Sequence, residues 1–484
     1  MRSVSNYIDG GFPESADHLD RPAPATGAPS VRVPVSSKDE VSRAAEAAHR
    51  AFPAWSRTPP AERARLMNAL AASIDENLEE LAILESLDTG KPLHLARTLD
   101  IPRASLNFRF FAGAVQQFHG EAYRTGREAL NYVLHQPRGV AGCISPWNLP
   151  LYLFTWKIAP ALAAGCTVVA KPSEMTPSTA GYLGRLAHEA GFPPGVLNIV
   201  HGSGSTGEAI VTHPRVNTIS FTGGSVTGSR IAGLAAPLYK KLALEMGGKN
   251  PSIVFADCDM EQALAGCLRA AFDNQGQICL CGSRILVEES IYPAFVEQLV
   301  ARARALRVGD PMEPDTQQGA VISAAHRDKI LGYIDLTRRE GGKVLCGGGP
   351  PDTLPERCRN GYFVAPTVVT GLSPSCRVNQ EEVFGPFASV TPFRGEREAL
   401  ELANGTSYGL SASLWTRDLS RAHRLAEALE CGTVWVNCWL LRDLRVPFGG
   451  AKQSSIGREG GEYALRFFTD PKTVCIRYPD EAPQ

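Results

Sequence analysis

The sequence predicts an α/β protein with parallel sheets, and three observations carry that prediction. The chain has 484 residues, too many for one core, so two or three domains are expected. From residue 139, short β-rich runs closed by Gly or Pro alternate with helical pieces, the pattern of a parallel sheet with helices on its faces. From about residue 248 the alternation starts again, which makes a second α/β domain.

In chain order, "KDEVSRAAEAAHRAF" carries apolar positions at helical spacing behind a capping Ser37. "PPAERARLMNALAASIDENLEELAILESLDTGK" continues the helical region, with proline at its start and Gly90 at its end. "GVAGCISP", "GCTVVAKP", "GVLNIVHG" and "VNTISFTGG" are strands of the first domain, with helices such as "STAGYLGRLAHEAG" between them. "NPSIVFADCD", "SRILVEES", "GKVLCGG", "YFVAPTVVTG", "ASVTPF" and "GTVWVNC" are strands of the second, and "MEQALAGCLRAAF" and "YPAFVEQLVARARAL" are helices there. The final run "TVCIRYP" is a strand with no local partner. It needs another chain or the extended "ALNYVLHQP" near 129–137.

Composition narrows the class. The net charge is −1, with 20% charged and 44% hydrophobic residues, which gives no reason to expect nucleic acid or an anionic membrane as partner. The twelve cysteines include no CxxC pair and no His/Cys cluster at zinc spacing, so no metal is expected. "MRSVSNYIDGGF" lacks a basic region followed by an apolar run, and "IAPALAAGCTVVA" is shorter than a membrane span. A cytoplasmic, reduced protein is expected.

Two stretches suggest a nucleotide. "FTGGSVTGSRIAG" follows a strand and opens a helix, so Gly224 and its neighbours let backbone approach a phosphate at a helix N-terminus. Without GxGxxG spacing, a plain strand-to-helix turn is an equal reading. "VVAKPSEMTP" puts Lys171 and Glu174 at a strand end, where α/β sheets bind ligands. A carboxylate there suits the ribose hydroxyls of NAD and repels the 2′-phosphate of NADP.

Two stretches suggest acid–base and thiol chemistry. Glu245 in "LEMGGKN" sits among apolar residues and glycines. Buried there, it would have a raised pKa and serve as a general base; salt-bridged or exposed, it would be structural. "NQGQICLCGSR" holds Cys279 and Cys281, either of which is inert if simply buried.

Together, "SPWNLPLYLFTWKIAPALAAGCTVVAKPSEMTP", "FTGG", "LEMGGKN", "NQGQICLCGSR", "EEVFGPF" and "PFGGAKQSSIGREGG" resemble the aldehyde dehydrogenase superfamily, from "NYIDG" to the last strand. The resemblance implies a Rossmann-like cofactor domain (1–118 and 138–247), an α/β catalytic domain (248–468) and a small β oligomerisation element (119–137 and 469–484), in a homodimer or homotetramer. It implies that Cys279 is the nucleophile, its thiolate adding to an aldehyde to give a thiohemiacetal and, after hydride loss to NAD, a thioester. Asn148 and the Cys279 backbone N–H would hold the oxyanion, and Glu245 would activate the hydrolytic water. Lys171 and Glu174 would hold the adenosine ribose, Glu382 the nicotinamide ribose with Phe384 beside it, and Trp147 and Gly224 would line the cofactor path. The glycine turn departs from the usual spelling, with Gly224 where serine is common and Ser225 after it. A slightly altered pyrophosphate contact is the expected result.

Two arginines point to the substrate. By resemblance, Arg442 in "NCWLLRDLRVPFGG" and Arg103 in "TLDIPRASLNFRFFAG" line the substrate tunnel; Arg109, six residues on and more than a turn and a half away, faces elsewhere, and the neighbouring Arg445 pairs with Asp443. A solvated surface position is the bland alternative for each. Two arginines converging on one tunnel call for an anion. They resemble the muconate semialdehyde branch of the family. Aliphatic, succinate-semialdehyde, betaine-aldehyde and CoA-acylating enzymes are the competing readings. An inactive structural or binding protein on the same scaffold is the alternative of a different class, and the intact Cys279, Glu245 and Asn148 count against it.

Overall fold

The computed structural model describes residues 1–479. Two parallel sheets dominate it. The first has six strands in the order Ser455–Ile456, Lys241–Glu245, Val216–Thr222, Val140–Ile144, Thr167–Lys171 and Leu197–Ile199, all parallel except the Ser455–Ile456 edge. Val140–Ile144 and Thr167–Lys171 are buried throughout, because helices cover both faces; hence they read as unbroken apolar runs with no alternation. Strand order reverses between Val140–Ile144 and Val216–Thr222. Such a switch opens a crevice at the carboxyl ends of the strands.

The second sheet has seven strands in the order Lys343–Cys346, Thr367–Thr370, Phe387–Phe393, Arg284–Glu288, Pro251–Val254, Ser411–Trp415 and Thr433–Val436, antiparallel only at Lys343–Cys346. Helix Met260–Phe272 runs from Pro251–Val254 toward Arg284–Glu288, and the return loop carries Cys279. Ser455–Ile456 crosses back from this half of the chain to complete the first sheet beside Glu245.

The expected N-terminal helices are present, and their punctuation is physical. Ser37 caps Lys38–Trp55 in a capping box with Glu40. Gly90 ends Leu78–Thr89 in the left-handed conformation, at φ 78°. The long run between them breaks at Asn77 into Pro60–Glu76 and Leu78–Thr89. Helices Pro60–Glu76, Ile101–Gln117 and Pro150–Ala164 pack on one another around Met67, Leu70, Phe108, Phe111 and Phe154.

The final strand finds its partner within the chain. Thr469–Arg477 pairs antiparallel with Ala129–Pro137 over nine residues, and Ala122–Thr125 adds a third strand. Residues 480–484, at the end of the expected β element, lie outside the described residues. A three-stranded N-terminal sheet of Arg2–Ser3, Pro29–Pro34 and His18–Pro22 was not legible in the sequence pattern.

Candidate active site

Two cavities meet beneath the crevice, and Thr222 lines both. The first, of about 400 Å³, is lined by Cys279, Glu245, Arg103 and Arg442 among others. The second, of about 610 Å³, is lined by Trp147, Lys171, Glu174 and Gly224.

Cys279 is half-buried at the end of an unusual loop. Asn274 and Gln275 (φ 53° and 55°) and Gly276 (φ 66°) are consecutive left-handed residues. Such strain persists only where surroundings enforce it. Here the Gln277 amide oxygen accepts from the Ile322 N–H at 3.1 Å, and Asn274 Nδ2 reaches the Asn148 carbonyl at 3.1 Å. Burial pushes the Cys279 thiol up to about 12; Glu382 and Glu245 add to the shift and Arg442 opposes it. The ligand-free thiol is therefore protonated at neutral pH, so attack on a carbonyl needs a proton acceptor close by. Cys281 is buried in an apolar cluster with Ile278, Leu280, Trp435 and Trp439, which fits a packing role.

Glu245 ends a central strand and is buried. One carboxylate oxygen accepts from Ser455 Oγ at 2.8 Å, and the other has no hydrogen-bond partner among the described residues. Burial lifts its carboxyl well above the usual range. The neighbouring Glu459 adds to this, while Ser455 and Lys157 oppose it. That is the environment of a carboxyl able to exchange a proton near neutral pH.

Asn148 is buried and does not itself line either cavity, although the adjacent Leu149 lines the first. Its Nδ2 donates one hydrogen to the Gln277 carbonyl at 2.9 Å, leaving the second uncommitted.

Arg103 lies against aromatic faces, its guanidinium carbon 5.1 Å from the Tyr152 ring and 5.5 Å from the Trp156 ring. Its Nε donates to Asn107 Oδ1 at 3.1 Å, while Nη2 is buried without a partner. Arg442 stacks on Phe448 at 4.0 Å. The other cations lining this cavity are paired locally, Lys91 with Asp100 and Arg269 with Asp273, and Glu459 pairs with Lys157. Among the described residues, no carboxylate lies within ion-pair distance of Arg103 or Arg442. Arg109 instead pairs with Asp75 at the surface, and Arg445 with Asp443, as their spacing implied.

The second cavity fits a dinucleotide. Lys171 Nζ lies 3.4 Å from Glu174 Oε2 at the end of strand Thr167–Lys171. The N-termini of helices Gly204–Thr212 and Ser225–Ala235 open onto the same space, ready for phosphate. A Cβ on Gly224 would meet nothing within 4 Å, so backbone there is open to a ligand. The hydroxyls of Ser145 and Thr222 line the cavity buried and without partners, each waiting for one. Ser225 begins the second helix but does not line the cavity. Glu382 and Phe384 lie outside both linings. The Glu382 carboxylate accepts from the Gly248 N–H at 3.1 Å, and Phe384 meets Trp147 edge-on at 5.3 Å.

The sequence and fold are matched by known proteins. The chain matches the aldehyde dehydrogenase family over residues 12–474. The chain belongs to the aldehyde dehydrogenase family. Among relatives of this aldehyde dehydrogenase, the 2-aminomuconic semialdehyde dehydrogenase of Danio rerio is 50% identical, covering 98% of each chain. The 2-hydroxymuconic semialdehyde dehydrogenase of Pseudomonas sp. (strain CF600) is 45% identical, covering 99% of this chain and 100% of that one. Among solved structures, PnpE in complex with nicotinamide adenine dinucleotide has a TM-score of 0.96 at 44% identity, covering 99% of this chain and 98% of that one.

Several residues of this aldehyde dehydrogenase's site escaped sequence reasoning. Tyr152 and Trp156, which cradle Arg103, look like ordinary core aromatics on an apolar helix. Lys157 on the same helix is fully buried, and its partner Glu459 lies 302 residues away. A lone lysine inside the apolar "LYLFTWKIAPALAA" is the one signal that was available.

Proposed function

We propose that this aldehyde dehydrogenase oxidises a semialdehyde bearing a carboxylate to the corresponding acid, with NAD as cofactor. The substrate class is that of 2-aminomuconate 6-semialdehyde or 2-hydroxymuconate semialdehyde. One observation carries the reading: two guanidinium groups without carboxylate partners line the cavity that holds the candidate nucleophile. Half-buried cations with no carboxylate partner favour an anion that arrives to pair with them. A carboxylate gripped by Arg103 and Arg442 points the far end of a short substrate at Cys279. The names of the relatives support the same class.

Cys279 adds to the aldehyde carbon, and its proton passes to Glu245 or a water between them. Asn148 offers its uncommitted amide hydrogen to the developing oxyanion, together with the Cys279 backbone N–H. NAD, held by Lys171 and Glu174 at the ribose end and by Trp147 and Gly224 along its path, supplies the hydride acceptor. Ser225, Glu382 and Phe384 lie outside both cavity linings and are assigned to the cofactor by resemblance to the family. Glu245, once it has released the thiol proton to solvent, takes a proton from the water that hydrolyses the thioester, and the Cys279 sulfur leaves as thiolate.

A homodimer or homotetramer is part of the reading, because Thr469–Arg477 is a sheet edge with Ile476 exposed. The division into a cofactor domain (1–118 and 138–247), a catalytic domain (248–468) and a β element (119–137 and 469–484) belongs to it as well. So does a cytoplasmic location, supported by twelve free cysteines. No helix among the described residues is long and apolar enough to cross a membrane.

The test is NADH formation over a panel of 2-hydroxymuconate, 2-aminomuconate and succinate semialdehydes, hexanal and betaine aldehyde. A muconate semialdehyde should give the highest kcat/KM, and Cys279→Ala should abolish turnover of every substrate. Highest kcat/KM for hexanal or betaine aldehyde would overturn the substrate assignment.

A further inference from the structure

We propose that the buried Lys91–Asp100 ion pair is a positioning device for the Asn148 amide, setting turnover through that amide. The inference rests on the reading of Asn148 as an oxyanion donor.

Lys91 and Asp100 form an ion pair in which each residue is 1% exposed. A pair so deeply buried brings little stability over apolar packing, since desolvation of both charges offsets their attraction. Its effect is therefore sought in geometry. Lys91 Nζ also donates to the backbone carbonyl of Asn148 at 3.0 Å. That carbonyl accepts a second donor, Asn274 Nδ2, at 3.1 Å. Asn274 Nδ2 also reaches the Gln277 carbonyl at 3.2 Å, the group that accepts from Asn148 Nδ2 at 2.9 Å.

These contacts close a ring. It runs from the Asn148 carbonyl through Asn274 to Gln277 and back to the Asn148 side chain, with Lys91 as its charged anchor. The ring ties helix Pro150–Ala164, which begins two residues after Asn148, to the left-handed loop that ends at Cys279. A rotation of the Asn148 backbone would break the Nδ2 bond to Gln277 and redirect the free amide hydrogen. Lys91 opposes that rotation by a charge-assisted bond, stronger than one between neutral groups.

Asp100 holds Lys91 from an unusual place. It ends the five-residue π-helical turn Ala96–Asp100, a distortion that recurs at functional sites. Its other carboxylate oxygen is buried without a partner, so Lys91 is the group that fixes its orientation. Glu85 flanks the arrangement from helix Leu78–Thr89, accepting from the Leu151 N–H at 3.3 Å and from Thr179 Oγ1 at 2.9 Å.

A double-mutant cycle tests the proposal, because positioning acts only through the amide it positions. Lys91→Met combined with Asp100→Leu replaces the pair by apolar groups. The expected result is a kcat for the best semialdehyde at least about 10-fold lower, a smaller loss than the about 100- to 1000-fold for outright removal of an oxyanion donor. NAD binding, read by tryptophan fluorescence, and the thermal midpoint should stay near parental values. Asn148→Ala alone should lower kcat further, and adding the pair replacement to it should change kcat by less than 2-fold. A folded pair variant with parental kcat, or losses that multiply fully on Asn148→Ala, would overturn the inference. Parental turnover in Asn148→Ala alone would instead remove the oxyanion reading, and this inference with it. If the pair variant does not fold, Asp100→Asn gives the same comparison with shape retained.

Discussion

The Arg442 guanidinium and the Cys279 thiol line one cavity, and the charge of the first opposes the protonation that burial imposes on the second. Arg442 thus has two consequences in this site. On the proposed function it attracts an anionic substrate, and its charge makes the Cys279 thiol easier to ionise.

Alkylation of Cys279 measures the second consequence. With the thiol pushed up to about 12, the thiolate fraction in cofactor-free enzyme rises about tenfold per pH unit from pH 7 to 10. The iodoacetamide rate at the Cys279 peptide, followed by mass spectrometry, should climb across that range without levelling. Arg442→Ala removes a cation and should slow it several-fold at fixed pH. Glu382→Gln removes an anion and should speed it. A plateau near pH 8.5 would contradict the buried, anion-flanked thiol.

Glu245 governs a different pH dependence. A carboxyl raised above its usual range is protonated, and useless as a base, below its folded pKa. Hydrolysis of the thioester should therefore increase with pH through that value. Glu459→Gln removes a like charge and leaves Lys157 to act on Glu245 alone, so the pKa falls and the acid limb of kcat moves to lower pH. The unpaired Lys157 should destabilise the variant by about 3–5 kcal/mol, so the profile is best taken well below its thermal midpoint. A limb that stays in place would show that Glu459 does not act on Glu245.

What the sequence disclosed follows from distance along the chain. Cys279, Glu245, Lys171 and Glu174 sit in short motifs whose chemistry is local, and ten strands were readable from β-rich runs closed by Gly or Pro. Ser411–Trp415 was not, because "SASLW" is serine-rich and buried by its neighbours rather than by its own hydrophobicity. The Lys91–Asp100 pair was not, because Lys91 lies in the loop between helices, where no periodicity places it, and Asp100 ends a π-helical turn. The partners of Arg103 were hidden for a similar reason. Tyr152 and Trp156 reach it only once helix Pro150–Ala164 packs on Ile101–Gln117.

Arg103 should trade stability for function. Its Nη2 is buried unpaired, burial disfavours its charge, and Arg442 adds repulsion. Arg103→Met keeps the packing volume against Tyr152 and Trp156 and removes the charge. The ligand-free variant should unfold at a higher temperature, by about 1–3 kcal/mol of stabilisation. It should also lose about 2–5 kcal/mol of binding for carboxylated semialdehydes, with little change for hexanal. Calorimetry and paired KM values check both arms. A lower melting point together with equal KM increases for both substrates would assign Arg103 a structural role alone.

Gly276 links the backbone of the nucleophile loop to the segment carrying Glu382. Its φ of 66° belongs to the left-handed region, and an added Cβ would lie 2.0 Å from the Gly385 carbonyl oxygen. Gly276→Ala must therefore push the two backbones apart, and Cys279 lies three residues further on. Left-handed strain adds about 1–3 kcal/mol, so the melting point should fall modestly. Activity should fall far more, by about 100-fold in kcat, since a displacement near 1 Å at a reacting group suffices for that. Gly332→Ala is the control: it lies in helix Ala324–Arg339, where an added Cβ meets nothing within 4 Å, and alanine favours a helix interior. That variant should match or exceed the parent in stability and keep full activity. Comparable kcat values for the two variants would mean that the loop tolerates displacement, and that the strain at Asn274 and Gln275 does not position the sulfur.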